Sequence, residues 1–125
     1  MKIRIKGNSI RFRLTKSEVE TLCSKGKFLE ETRFKTNVFC YAVAKTPEPG
    51  MNAAFSELGI TLYVNETWLE GWEKNEKVGF EAIESTDKGS TLHLLLEKDF
   101  VCLDRREEDQ SDNYPNPKLE KKDLV

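Results

Sequence analysis

Lys2-Ile3-Arg4-Ile5-Lys6-Gly7-Asn8-Ser9-Ile10-Arg11-Phe12-Arg13-Leu14 sets two runs of apolar/charged alternation on either side of Gly7-Asn8. A period of two is that of a half-buried strand, and a two-residue Gly-Asn link fits the tight turn between antiparallel strands. The pairing this dictates is 6 with 9, 5 with 10, 4 with 11, 3 with 12 and 2 with 13. Ile3, Ile5, Ile10 and Phe12 then share one face, and the five cations Lys2, Arg4, Lys6, Arg11 and Arg13 share the other. Lys2 opposite Arg13 and Arg4 opposite Arg11 are like charges in direct register, which weakens a sheet unless something offsets it.

Immediately after this hairpin, Thr15-Lys16-Ser17-Glu18 has the form of a capping box, with Leu14 and Val19 placed as a hydrophobic staple. A helix of about ten residues with an apolar stripe of Val19, Leu22 and Cys23 is expected to end at Gly26. Phe28 to Ala44 reads as a second hairpin; a Thr36-Asn37 turn would pair Phe34 with Phe39 and Thr32 with Tyr41. Thr46 to Gly50 is a loop, Ala53 to Phe55 a short strand, and Ile60, Leu62 and Val64 the inward positions of a stronger one. Asn65 as N-cap with Trp68, Leu69 and Trp72 predicts a second short helix, weakened by Gly71. Strands over Val78 to Ile83 and Thr91 to Leu96 follow, joined by a turn-rich Ser85 to Ser90.

The chain of 125 residues suits a single domain. Its low mean hydropathy of -0.60 is balanced by seven Phe, three Tyr and two Trp, enough large side chains to build a core. A formal net charge of -2 argues against a broadly nucleic-acid-binding or polybasic membrane protein. No apolar run reaches membrane-spanning length and the opening residues do not form a signal-peptide stretch, so the expected location is cytoplasmic. Residues 1–103 are expected to form the globular domain, 104–117 an acidic, proline-containing extension packed on it, and 118–125 a mobile tail.

No two of the seven glycines lie closer than eight positions, which excludes a glycine-rich phosphate loop. Catalytic serine-elbow, zinc-protease and EF-hand patterns are also missing from the sequence, and no cofactor is expected. The single His93 falls opposite Leu92, Leu94 and Leu96 in a strand and reads as a structural or solvent-facing residue. Cys102, Asp104, Glu107 and Asp109, with Glu108 and Asp112 nearby, form a ligand-rich stretch that is the one candidate for a metal; a solvated acidic segment explains the same residues. Three offsets are open for the basic face: solvent screening, the chain's own carboxylates from Glu30 and Glu31 or Glu107 to Asp109, or an external anion.

The opening Ile3 to Thr15, the segment Glu97-Lys98-Asp99-Phe100-Val101-Cys102-Leu103 and the stretch from Glu108-Asp109 to Pro115-Asn116-Pro117 resemble a family of small uncharacterised bacterial proteins. The resemblance implies a single-domain, cytosolic protein and transfers no activity or catalytic residue. A purely architectural likeness links the strand pattern to the triphosphate tunnel enzymes, whose first strand reads Glu-x-Glu-x-Lys where this one reads Lys2-Ile3-Arg4-Ile5-Lys6.

The expected fold is α+β, a mostly antiparallel sheet of about six to eight strands, curved or partly closed, with two short helices. The expected function is a noncatalytic binding module that takes an anion or an acidic protein segment on Lys2, Arg4, Lys6, Arg11 and Arg13. The alternative is a small metal-dependent phosphate-handling hydrolase with carboxylates from Glu81, Glu97 and residues 104–112.

Overall fold

A computed structural model describes residues 1–100 and 111–115. The described elements are β1 (Lys2–Lys6), β2 (Ser9–Leu14), α1 (Lys16–Lys25), β3 (Lys27–Arg33), β4 (Val38–Thr46), β5 (Met51–Ser56), β6 (Gly59–Asn65), β7 (Gly79–Ser85) and β8 (Thr91–Lys98). Eight strands and one helix make an α+β fold, but the strands divide into two four-stranded sheets instead of one sheet of six to eight.

The two sheets are built alike. One runs β1-β2-β8-β7 and the other β3-β4-β6-β5. In each, two antiparallel hairpins meet through a parallel pairing of their second strands, β2 with β8 and β4 with β6. The helix α1 carries the chain from the first sheet to the second, and residues 66–78 carry it back. The parallel joint is tight at Gly59, where an added Cβ would lie 1.7 Å from the Cys40 carbonyl oxygen and where φ is 146°. Only glycine fits that contact and that backbone.

The first hairpin has the register read from the sequence, from Lys2 with Arg13 to Lys6 with Ser9. Gly7 alone of the turn pair has positive φ, the mark of a type II′ turn. The second hairpin closes differently. Its turn spans Phe34 to Asn37, closed by the Phe34 amide on the Asn37 carbonyl, and Thr32 pairs with Phe39 while Glu30 pairs with Tyr41. The two-residue slip keeps each side chain on its expected face, as an even shift must, but leaves Phe34 exposed in the turn.

The helix starts at the Thr15–Glu18 capping box, in which Glu18 Oε1 accepts the Thr15 amide at 2.8 Å, and ends at Gly26 in left-handed geometry. A second helix is not formed. Residues 66–74 run as turns whose hydrogen bonds mostly reach back three positions, as in Trp68 to Asn65 and Trp72 to Leu69. Gly71 at φ 72° interrupts any continuous α-helical path. These turns still deliver Leu69 and Trp72 into the core, with the Trp72 indole donating to the Lys77 carbonyl.

The inward faces of both sheets, the Val19 and Leu22 stripe of α1, and Leu69 and Trp72 share one apolar cluster. Phe12, Leu14, Leu62, Val43, Leu94 and Leu96 are fully buried in it. Such burial removes roughly 1.5–3 kcal/mol worth of apolar surface from water per large side chain. Among the described residues the interior is packed mostly with hydrocarbon, Lys98 and Asp99 being the buried charged residues. No helix among the described residues is long and apolar enough to cross a membrane.

Residues 111–115 lie against this body. The Asp112 carbonyl accepts the Lys16 amide, its carboxylate takes the Ser17 amide and hydroxyl, and Tyr114 packs on Phe100.

Candidate functional site

Alternation along β1 and β2 places all five predicted cations on the outer face of the first sheet, and the parallel register of β8 adds its own outward residues beside them. Three rows cross this face. Lys2, Arg13, Glu97 and Gly79 form one; Arg4, Arg11, Leu95 and Glu81 the next; Lys6, Ser9, His93 and Ile83 the third. The face therefore grades from purely basic on β1 to mixed on β8 and β7.

The arginines of β2 are held by a residue of β8. Glu97 Oε1 stands 3.4 Å from Arg11 Nε and 3.6 Å from Arg13 Nε, too far and too poorly aligned at Arg11 for a hydrogen bond, since Arg11 Nε is buried without one. Lys2 Nζ lies 3.3 Å from the buried Asp99 carboxylate. Among the described residues, the carboxylates that stand against part of the basic face are therefore Glu97 of β8 and Asp99 just after it, while Glu107 to Asp109 lie outside the described residues. Glu30 is used elsewhere. With Glu18 it binds the Met1 amino group, at 2.7 and 2.5 Å, and Glu31 meets Arg33. Burial opposes the charge on that amino group, yet the two carboxylates outweigh it and leave its pKa raised.

Arg4 and Lys6 have no such partner among the described residues. With Ser9, Arg11 and Leu95 they line a depression of about 250 Å³. Leu95 supplies an apolar surface, and two guanidinium groups, an ammonium and a hydroxyl supply donors, with no carboxylate among the described lining residues. A concave surface of this kind suits a small oxyanion, because guanidinium groups offer paired N–H donors to it. Glu81 lies on the same face but turns to His93, with Oε2 3.4 Å from Nε2.

Of the carboxylates proposed for metal chemistry, Glu81 and Glu97 stand apart on the sheet, each beside different basic residues. Glu97 is committed to arginines and Glu81 to His93, and no group of three His, Cys, Asp or Glu among the described residues could hold an ion. Cys102, Asp104, Glu107 and Asp109 lie outside the described residues.

Two features escaped the sequence reading. Leu95 joined the cationic lining only because β2 pairs with β8, which no local pattern encodes. Lys98 is buried, donating from Nζ to the Asn75 carbonyl at 2.6 Å while lying over the rings of Trp72 and Tyr114. Burial pushes its ammonium below the ordinary lysine value. A signal existed: Lys98 continues the inward phase of Leu92, Leu94 and Leu96. It fastens the 66–78 segment and residues 111–115 to the body of the fold, and is a structural bolt apart from the cationic face.

A family model described as a family of unknown function, DUF7009, matches residues 1–118. No curated protein and no solved structure matches the chain.

Proposed function

Since the chain belongs to the DUF7009 family, whose function is unknown, we propose from its own geometry that it is a noncatalytic, cytoplasmic binding module for an anion or an acidic partner. The site is the outer face of the first sheet, centred on Arg4, Lys6 and Arg11, with Lys2 and Arg13 at its margin. The observation that carries this reading is the Arg4–Arg11 pair: two like charges held in register beside a concave, Leu95-lined surface, with Arg4 meeting no carboxylate among the described residues. An arrangement that weakens the free sheet is stabilised by a bound anion, so binding and stability are coupled.

Thermal shifts with inorganic phosphate, nucleotides, polyphosphate and divalent metals test the reading. A ligand that binds the folded state alone stabilises it by about 2.7 kcal/mol at a hundredfold excess over Kd. The expected result is stabilisation by phosphate-bearing ligands that persists in chelator and is lost in Arg4→Ala. A response to divalent metal alone would overturn it in favour of metal-dependent chemistry.

A further inference from the structure

Among the described residues, the basic face ends at an unpaired sheet edge. In the order β1-β2-β8-β7, β1 has a described neighbour on one side only. Its two-residue turn makes Lys6 and Ser9 the closing hydrogen-bonded pair, and antiparallel pairs alternate, so Arg4–Arg11 and Lys2–Arg13 also use their backbone groups inside the ladder. The amide and carbonyl groups of Ile3 and Ile5 then point away from β2. Among the described residues, no hydrogen bond from outside the ladder reaches either.

Side chains flanking this edge are just as specific. Arg4 and Lys6 lie exposed on the outer face, while Ile5, on the inward face, keeps 58% of its surface exposed. Charges on an edge strand commonly serve to prevent self-pairing, and here they do exclude one occupant: a second β1 would set cations against cations. They favour another. We propose that the β1 edge receives an extended acidic peptide of a partner protein, in which acidic residues alternate with apolar ones, as a fifth strand of the first sheet. Its backbone would pair with Ile3 and Ile5, its carboxylates would lie beside Arg4 and Lys6, and its apolar side chains would cover Ile5. Main-chain bonds supply affinity in such strand addition, and alternate side chains supply specificity. The inference rests on the anion-binding reading of the face and names its partner.

Three short peptides, a single-stranded oligonucleotide and phosphate decide it, with binding measured by calorimetry on the full chain and amide hydrogen exchange on the complex. One peptide alternates Glu and Val, the second is the same peptide with its valine amides methylated, and the third has the same composition with its Glu and Val in separate blocks. Expected are binding of the alternating peptide, new protection at the Ile3 and Ile5 amides but little change at Arg4, and affinity at least about tenfold lower for the other two. Equal binding of the methylated or block peptide, or of a single-stranded oligonucleotide, without protection at Ile3 and Ile5 overturns strand addition. Phosphate stabilisation surviving that outcome leaves the anion reading standing. Edge protection by the alternating peptide without any phosphate response upholds strand addition and removes the small-anion reading. Failure of every ligand to bind removes both.

Discussion

Glu97 reaches across from β8 to stand 3.4 Å from Arg11 Nε, so the central cation of the basic face leans on a carboxylate 86 positions later in the chain. Arg4, directly opposite Arg11 on β1, meets no carboxylate among the described residues. Two arginines facing one another thus occupy opposite electrostatic situations, and charge reversal at each should have the opposite sign.

Arg11→Glu removes the attraction to Glu97 and replaces it with repulsion, which outweighs the new attraction to Arg4 because Arg11 and Glu97 are the more buried pair. The expected change is a loss of about 0.5–1 kcal/mol, shrinking as salt rises. Urea unfolding at low and high ionic strength measures it. A gain in stability would show that Glu97 contributes nothing to holding Arg11.

Arg4→Glu sets a carboxylate opposite Arg11 with no ion pair among the described residues to break. It should stabilise the free protein by about 0.2–1 kcal/mol and abolish stabilisation by phosphate. Loss of stability in phosphate-free buffer would show that Arg4 has an attractive partner.

The contrast between these arginines marks what could be read in advance. Residues 2–14 were legible because alternation and turn chemistry agree on one register, and a local hairpin needs no information from elsewhere. The parallel pairing of β2 with β8 is nonlocal, so the offset for Arg11 was sought in Glu30, Glu31 or the acidic stretch while Glu97 stood in plain alternation. Apolar Trp68, Leu69 and Trp72 correctly marked a segment that meets the core, since burial of Leu69 and Trp72 is the same for a helix or a chain of turns; Gly71 decided which. Phe34 misled because an aromatic next to a strand reads as strand, whereas the turn simply started earlier.

Gly59→Ala should be among the most damaging single changes. The new methyl would fall 1.7 Å from the Cys40 carbonyl oxygen in backbone, not in a side chain that can turn aside. The β4–β6 joint must open to admit it, at a cost on the order of 3–5 kcal/mol. A melting temperature within a few degrees of the parent would refute the tightness of that joint.

Cys23 should react slowly with alkylating reagents at neutral pH. Its side chain packs against the core and its thiol pKa is pushed up to about 11, chiefly by burial, with Glu73 adding to the effect. The thiolate is the reactive form, so native-state labelling should lag far behind labelling in denaturant. Comparable rates in the two states would place Cys23 on the surface.

Asp112 tests the docking of residues 111–115 on the helix. Its carboxylate takes the Ser17 amide at 3.2 Å and hydroxyl at 2.7 Å in the first turn of α1, where the helix leaves amides unpaired and favours negative charge. Contact with the Thr15 hydroxyl and then the bonds from Ser17 hold its carboxyl below the ordinary value of 3.8. A depressed folded-state pKa contributes stability that is present above the unfolded value and lost as pH falls through the folded one. Asp112→Ala should therefore cost about 0.5–1 kcal/mol near neutral pH, and Asp112→Asn less, because the amide oxygen still accepts one bond. The gap between parent and Asp112→Asn should stay constant above about pH 5 and close below pH 4 as the parent carboxyl takes up its proton. Unfolding curves across that range measure it; a gap that persists unchanged at pH 2, or one that widens with acid, would show that the charge of Asp112 does not cap the helix.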